Sequence, residues 1–201
     1  MNGKLFTIGC SVHTIESLVA VLEKNRIQAV ADVRSTPYSQ HTPQFNENYI
    51  KKELTSKGIF YLPFGKEFGA RRLEPEAYLY GKVSFQLVAK LRIFQEGIKR
   101  IEQGLNKGLA IALMCTEKDP IDCHRFILVS RSIESSLSIP VRHILFNGEV
   151  ESTEDVEKRL LDKLNLHLDL FDPGINSLKD KAYTAIAEKI AYSEQGTNGT
   201  D

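Results

Sequence analysis

Five consecutive apolar residues, Ala110-Ile-Ala-Leu-Met114, decide the fold class of this 201-residue chain. A short apolar run without alternation predicts a strand that is covered on both faces, as in parallel sheets. Because helical patterns separate this run from others like it, we predict an α/β fold with a mostly parallel sheet of about five strands and helices on both faces. The other predicted strands are Leu5–Gly9, Ile27–Val33, Ile59–Leu62 and Val141–Leu145.

Apolar spacing and capping residues predict the helices between these strands. Thr14 begins the first helix, whose apolar residues recur at i, i+3, i+4 and i+7, and Gly58 follows the second. Two long loops, Arg34–Phe45 and Pro63–Pro75, remain, and loops of that length usually carry function. The helices after the first are predicted at Asn46–Ser56, Ser84–Asn106, Pro120–Leu137, Thr153–Leu164 and Ser177–Tyr192.

The composition is that of a folded protein, with 42% hydrophobic and 26% charged residues. We expect an α/β core domain in residues 1–150 and a helical extension with a frayed end in residues 151–201. No apolar run approaches the roughly 20 residues that span a membrane, so we expect no membrane partner. Since the sequence starts without a signal-peptide pattern, we expect three reduced cysteines and a cytoplasmic location. The sequence predicts no oligomeric state.

Charge is distributed unevenly, although 26 basic residues balance 26 acidic ones. Residues 1–150 hold 20 of the basic residues and 15 of the acidic ones. The basic stretch 51–72 is either a solvated surface or a cationic and stacking face for nucleic acid, as in a non-catalytic binding module. Its basic and aromatic residues are Lys51, Lys52, Lys57, Phe60, Tyr61, Phe64, Lys66, Phe68, Arg71 and Arg72.

Polar residues follow the first two predicted strands, at the sheet edge where ligands of parallel sheets bind. Ser11 lies in a short loop whose backbone amides suit an anion or simply begin a helix. Asp32 and Arg34 form an acid–guanidinium pair that suits a phosphate or a carboxylate. The alternative is that Arg34 only ties down the long loop.

The densest group of reactive side chains follows the central strand and comprises Cys115, Glu117, Cys123, His124 and Arg125. A helix start at Asp119 would bring these side chains to one crevice. In one interpretation Cys115 is a nucleophile with a lowered pKa, and His124 or Glu117 is its general acid or base. In another, both cysteines pack as small apolar residues, and His124 and Arg125 hold a phosphate or Glu117.

A third interpretation is a metal site formed by Cys115, Glu117, Cys123 and His124. The pattern Cys-x-Glu followed by Pro-x-x-Cys is faintly similar to the motif of zinc deaminases. However, the spacing fits no standard zinc ligand set, and adjacent helical residues such as Cys123 and His124 point about 100° apart. We therefore assign no metal ligand and identify no cofactor.

Several unusual strings occur in order: Thr7-Ile8-Gly9-x-Ser11, Asp32-Val33-Arg34-x-x-Pro37-x-Ser39, Phe45, Tyr61 with Gly65 and Gly69, and Leu113-Met114-Cys115-Thr116-Glu117-Lys118-Asp119-Pro120-x-x-Cys123-His124-Arg125. Together they resemble the domain of unknown function 488 family, over about residues 5–146. The family has no settled activity, so the resemblance implies a site without naming a reaction. The site that it implies contains Ser11, Arg34, Ser39, Cys115, Glu117, Cys123, His124 and Arg125.

The leading hypothesis is an enzyme-like domain that binds or acts on a phosphate-bearing ligand, either a nucleotide or a nucleic acid. A fainter similarity to rhodanese-type sulfurtransferases, which also have Asp-x-Arg after a strand, implies sulfur transfer instead. The predicted catalytic residues are Cys115, Glu117, His124 and, as the residue that orients an arginine, Asp32. The predicted ligand-binding residues are Ser11, Arg34, Ser39, Arg71, Arg72, Cys123 and Arg125.

Overall fold

A six-stranded sheet forms the centre of the computed structural model, which describes residues 2–167 and 174–193. In chain order the strands are β1 Lys4–Gly9, β2 Ala29–Asp32, β3 Phe60–Pro63, β4 Tyr78–Leu79, β5 Lys82–Val83, β6 Ala110–Cys115, β7 Val141–Ile144 and β8 Val150–Ser152. The sheet order is β3-β2-β6-β1-β7-β8, and β4 pairs with β5 in a separate hairpin. Every pairing in the sheet is parallel except β7 with β8, which confirms the predicted α/β fold.

Strand β6 lies between β1 and β2, and all of its residues are buried. Its side chains alternate between the two faces, so Ile111 and Leu113 join one core cluster while Ala112 joins the other. Burial on both faces explains the continuous apolar run. The register pairs Cys115 with Gly9, and the carboxyl ends of β6 and β1 therefore reach the same level.

Helices cover both faces of the sheet. They are α1 Ile15–Lys24, α2 Glu47–Ser56, α3 Gly65–Phe68, α4 Phe85–Val88, α5 Arg92–Asn106, α6 Arg131–Leu137, α7 Thr153–Lys163 and α8 Ile175–Ile190. The buried residues of α1 and α2 pack on one face, and those of α5 to α8 pack on the other. A π-helical segment, Arg125–Ser130, leads directly into α6. Among the described residues, no helix has the length and apolar character that a membrane crossing requires.

The predicted helix Ser84–Asn106 is wrong in its middle, where the chain breaks between α4 and α5. Leu91 caps α5 in an extended conformation, with a ψ of 139°. The side-chain amide of Gln95 donates to the Ala89 carbonyl at 2.7 Å and so satisfies part of the exposed backbone. Buried residues keep a helical spacing across the break, which is why the sequence pattern does not reveal it.

The predicted helix Pro120–Leu137 is wrong over its first turns. Asp119 does cap a 3₁₀ turn at Pro120–Asp122, since its carboxylate accepts from the Ile121 amide at 3.1 Å. Cys123 then adopts an extended conformation, with φ −136° and ψ 139°, before the π-helical segment begins. The cap and proline that are typical of a helix start therefore belong to a single turn.

Several small elements have no counterpart among the predicted ones, among them the hairpin of β4 and β5, the one-turn α3, and β8. Strand β8 spans residues 150–152 and therefore crosses the domain boundary predicted after residue 150. The division into a core domain and a helical extension stays a prediction. Helices α7 and α8 pack on the same core cluster as α5. The frayed end expected for the last residues lies outside the described residues.

Gly97 of α5 lies against the ring of Phe68, which stacks on Phe64 and meets Phe94 edge-on. A Cβ at residue 97 would lie 2.8 Å from a ring carbon of Phe68 and 2.7 Å from Cβ of Glu67. Gly97→Ala should therefore lower the free energy of unfolding by about 1–3 kcal/mol through overpacking. A gain of about 1 kcal/mol in helix propensity offsets part of this loss and leaves a net decrease of up to about 2 kcal/mol. Urea denaturation measures the difference.

The matched control is Gln103→Ala, because Gln103 is exposed on the same helix. This substitution should change the free energy of unfolding by less than about 0.5 kcal/mol. A Gly97→Ala protein as stable as the control would contradict the close packing of α5 against Phe68.

Candidate functional site

Two thiols, a carboxylate and an imidazole converge where β6 ends, and we call Cys115, Glu117, Cys123 and His124 the Cys-Glu-His cluster. Both thiols donate to Oε2 of Glu117, with Sγ–Oε2 distances of 3.0 Å from Cys115 and 2.8 Å from Cys123. Nδ1 of His124 lies 3.7 Å from the first sulfur and 4.0 Å from the second. All four donor atoms lie within 4.8 Å of one another. The predicted convergence of these four residues is therefore confirmed.

The loop between Cys115 and Glu117 is held by the chain that continues from β1. The Ser11 amide donates to the Thr116 carbonyl at 3.0 Å. Gly9 permits a close crossing, because a Cβ at that position would lie 2.0 Å from the Glu117 carbonyl oxygen. The Ser11 amide, one of the backbone amides considered above for anion binding, therefore bonds to the site loop and holds it in place.

His124 is oriented by a backbone contact that the sequence does not reveal. Its Nε2 donates to the Val33 carbonyl at 3.1 Å, because a carbonyl can only accept. When the ring is neutral, its lone pair is therefore on Nδ1, which faces the two sulfurs. Burial lowers the pKa of His124, but the nearby Cys123 and Glu117 outweigh this effect and raise it.

Arg125 is fully buried and contacts both the loop that carries Glu117 and the sulfur of Cys123. Its guanidinium donates to the carbonyls of Glu117 and Lys118, at 2.7 Å and 3.2 Å. Its backbone amide donates to Sγ of Cys123 at 3.4 Å. Its Nε has no hydrogen-bond partner among the described residues. A positive charge is thus fixed beside the two thiols and the carboxylate.

The two thiols of the cluster differ in acidity. Burial, with the neighbouring Cys123 and Glu117, raises the pKa of Cys115 well above its usual value. Burial acts in the same direction on Cys123, but the neighbouring Cys115 and the charge of Arg125 outweigh it and lower the pKa of Cys123. The expectation of a lowered pKa at Cys115 is therefore wrong. Both residues are also closed to solvent, at 2% and 1% exposure.

A family model described as domain of unknown function DUF488 matches residues 14–132, more than half of the chain. The chain belongs to the DUF488 family. The matched range includes the whole Cys-Glu-His cluster but begins after Ser11, so it is narrower than the span of the motifs. Neither the curated proteins nor the solved structures give a match.

The DUF488 domain holds Arg34 in a buried ion pair. Nε of Arg34 donates to both carboxylate oxygens of Asp32, and Nη2 donates to Oδ2 at 2.5 Å. Nη2 also donates to the Phe45 carbonyl at 2.8 Å, and the Tyr61 hydroxyl donates to Asp32 at 2.8 Å. These bonds tie the long loop to β2, which supports the structural alternative for Arg34. Asp32 thus pairs with Arg34, and its catalytic role stays a prediction.

Two more of the predicted ligand-binding residues bond within their own loops. Arg72 is buried, and its guanidinium donates to Glu74 and to three backbone carbonyls. Oγ of Ser39 accepts from two backbone amides of the same loop. Arg71 is exposed instead, and its guanidinium lies 5.4 Å from the centroid of the Tyr192 ring. None of these contacts reaches the Cys-Glu-His cluster.

The aromatic residues of the basic stretch belong mostly to the core. Tyr61, Phe64 and Phe68 are buried, whereas Phe60 is 62% exposed. The stacking face proposed for nucleic acid is thereby reduced to one ring. The exposed cations of the stretch are Lys51, Lys52, Lys57, Lys66 and Arg71.

Helix α7 supports the cluster through ion pairs that sequence reasoning missed. Arg159 donates to Asp119 at 3.0 Å, and Lys163 donates to Asp122 at 2.7 Å. These bonds hold both ends of the turn that precedes Cys123. The partners lie about 40 positions apart in the chain, so no local pattern predicts them.

Arg34→Gln should lower the free energy of unfolding by about 3–5 kcal/mol, because the substitution leaves the Asp32 charge buried without its partner. Denaturant unfolding of the variant and the unmodified protein measures the loss. Arg71→Gln is the matched control, since an exposed arginine should contribute less than about 0.5 kcal/mol. Equal losses in the two variants would contradict the structural role of Arg34.

Proposed function

We propose that this DUF488 domain binds a divalent transition metal ion, with zinc the best match, at the Cys-Glu-His cluster. Cys115, Cys123 and His124 would be its anchored ligands, and the Glu117 carboxylate lies beside the fourth position. Two sulfurs and an imidazole nitrogen are donors that zinc prefers. The geometric objection from the sequence is wrong, because Cys123 is extended and its sulfur faces the same point as His124 Nδ1.

The observation that carries the proposal is the spacing of sulfur and nitrogen. Zinc bonds of ~2.3 Å to sulfur and ~2.05 Å to nitrogen, at a tetrahedral angle, place these atoms about 3.6 Å apart. In the structure, Nδ1 of His124 lies 3.7 Å from Sγ of Cys115 and 4.0 Å from Sγ of Cys123. Two edges of a zinc tetrahedron are therefore nearly formed, and shifts of a few tenths of an ångström complete them.

Charge balance supports a divalent ion. Two thiolates and the Glu117 carboxylate carry three negative charges, of which a divalent ion neutralises two. The fully buried Arg125 neutralises the third. Since unbalanced charge is costly in a protein interior, this balance favours the metal-bound form.

The surroundings of the ligands also resemble those of known metal centres. A metal-binding histidine usually donates its second ring nitrogen to a carbonyl or carboxylate, which fixes the ring, and His124 donates to Val33 in this way. The Arg125 amide that donates to Sγ of Cys123 supports a thiolate at that position.

The other interpretations have less support. Attack by a thiol on an external substrate, in nucleophilic catalysis or sulfur transfer, requires a sulfur that solvent reaches, and both sulfurs of the cluster are buried. Phosphate binding at the cluster requires available guanidinium donors, whereas those of Arg34, Arg72 and Arg125 bond extensively to protein acceptors. Arg71 is exposed, but its guanidinium lies against the Tyr192 ring.

The purified protein should bind about one zinc ion per chain by elemental analysis. Cys115→Ser, Cys123→Ser and His124→Gln should each weaken zinc binding at least about 100-fold, measured by competition with a chromogenic chelator, because each removes an anchored ligand. Cys10→Ala is the control, since Cys10 belongs to the core cluster on the opposite face of the sheet. Metal-replete protein that retains no zinc, or a loss as large in Cys10→Ala, would refute the proposal.

Zinc should also raise the thermal stability of protein stripped with a chelator. At a free zinc concentration 100 times the Kd, the expected stabilisation is about 2.7 kcal/mol. Calcium provides the control in the same melting experiment, because it prefers oxygen donors and should leave the Tm unchanged. A shift of the same size with calcium would indicate a non-specific ionic effect.

A further inference from the structure

Glu117 differs from the other three members of the Cys-Glu-His cluster in its exposure. Cys115, Cys123 and His124 are buried, at 7% exposure or less, whereas Glu117 is exposed, as are its neighbours Thr116 and Lys118. Glu117 is therefore the member of the cluster that borders solvent. Structural zinc sites are closed by a fourth protein ligand, while catalytic ones keep this position for an exchangeable ligand.

The distances within the cluster separate Glu117 from the anchored ligands in a second way. A carboxylate oxygen bound to the same tetrahedral zinc ion would lie about 3.5 Å from each sulfur. Oε2 of Glu117 lies 2.8 Å from Sγ of Cys123 and 3.0 Å from Sγ of Cys115. These are hydrogen-bond distances, which require the thiol protons that metal binding removes.

Loss of the thiol protons changes the forces on the Glu117 carboxylate. As thiolates, Cys115 and Cys123 no longer donate to it, and their negative charges repel it. The Glu117 backbone cannot follow, because Arg125 binds its carbonyl at 2.7 Å and Gly9 packs against it. On metal binding only the side chain would be free to move, toward its exposed side, and this movement would open space beside the metal position.

We infer that the metal site proposed above has an exchangeable fourth position, which takes a water molecule or a small anion, and that Glu117 accepts a hydrogen bond from the water instead of binding the metal. This inference rests on the proposed function. An open position beside a carboxylate is the arrangement with which zinc enzymes activate water.

The test compares cobalt-substituted wild-type protein with Glu117→Gln, Glu117→Ala and the ligand variant Cys123→Ser. Cobalt(II) occupies zinc sites and reports its coordination by visible absorption. Both Glu117 variants should bind the metal within about fivefold of wild type, whereas Cys123→Ser should lose about 100-fold or more. Because Glu117 is exposed, its variants should remain folded, which circular dichroism checks.

Exogenous anions probe the fourth position directly. Titration with azide or thiocyanate should change the cobalt spectrum of the wild-type protein to saturation, and Glu117→Ala should respond at equal or lower anion concentration. A loss of affinity in Glu117→Ala as large as that in Cys123→Ser, or a spectrum that neither anion changes, would overturn the inference and indicate a closed four-ligand site. A wild-type protein that binds no cobalt or zinc would instead refute the proposed function itself.

Discussion

The buried charge of Arg125 is the constraint on which the candidate site depends. Its guanidinium binds the carbonyls of Glu117 and Lys118, and its backbone amide binds the sulfur of Cys123. One residue thus fixes the loop that leaves β6 and the segment that leads into α6. A fully buried guanidinium is costly unless negative charge lies nearby, so the same residue also explains why acidic groups are gathered there.

The fold class is predictable because burial on two faces leaves a visible pattern. Every residue of strand β6 is buried, so its sequence shows no alternation of polar and apolar side chains. The start of α1 was predicted from Thr14, whose side chain accepts from the Ser17 amide. The breaks at Leu91 and Cys123 leave no such pattern. Buried residues on both sides of the break at Leu91 keep a helical spacing. The turn before Cys123 is held by Arg159, which lies far away in the chain.

The site was only partly predictable, because a sequence shows which groups can bind but not which partner occupies them. The four cluster residues are close in sequence and follow one strand, so their convergence was predictable. The pairing of Arg34 with Asp32 was also predictable, whereas that of Arg72 with Glu74 was not predicted, although the same local pattern is present. Arg34 pairs with Asp32 and Arg72 pairs with Glu74, each two positions away, so each arginine has a carboxylate within the protein. An arginine with such a neighbour is a poor candidate for an external anion.

For the metal site proposed above, the buried charge of Arg125 would also restrict the valence of the ion. Arg125 contributes one positive charge whether or not a metal is present, because a guanidinium does not lose its proton in proteins. With the Glu117 carboxylate counted beside the thiolates of Cys115 and Cys123, a monovalent ion would leave one negative charge uncompensated, and a trivalent ion would leave one positive charge. Soft sulfur donors disfavour magnesium and calcium. In the proposed site, valence and donor chemistry would therefore restrict the choice to divalent transition metals, and the nearly tetrahedral spacing of sulfur and nitrogen would favour zinc among them.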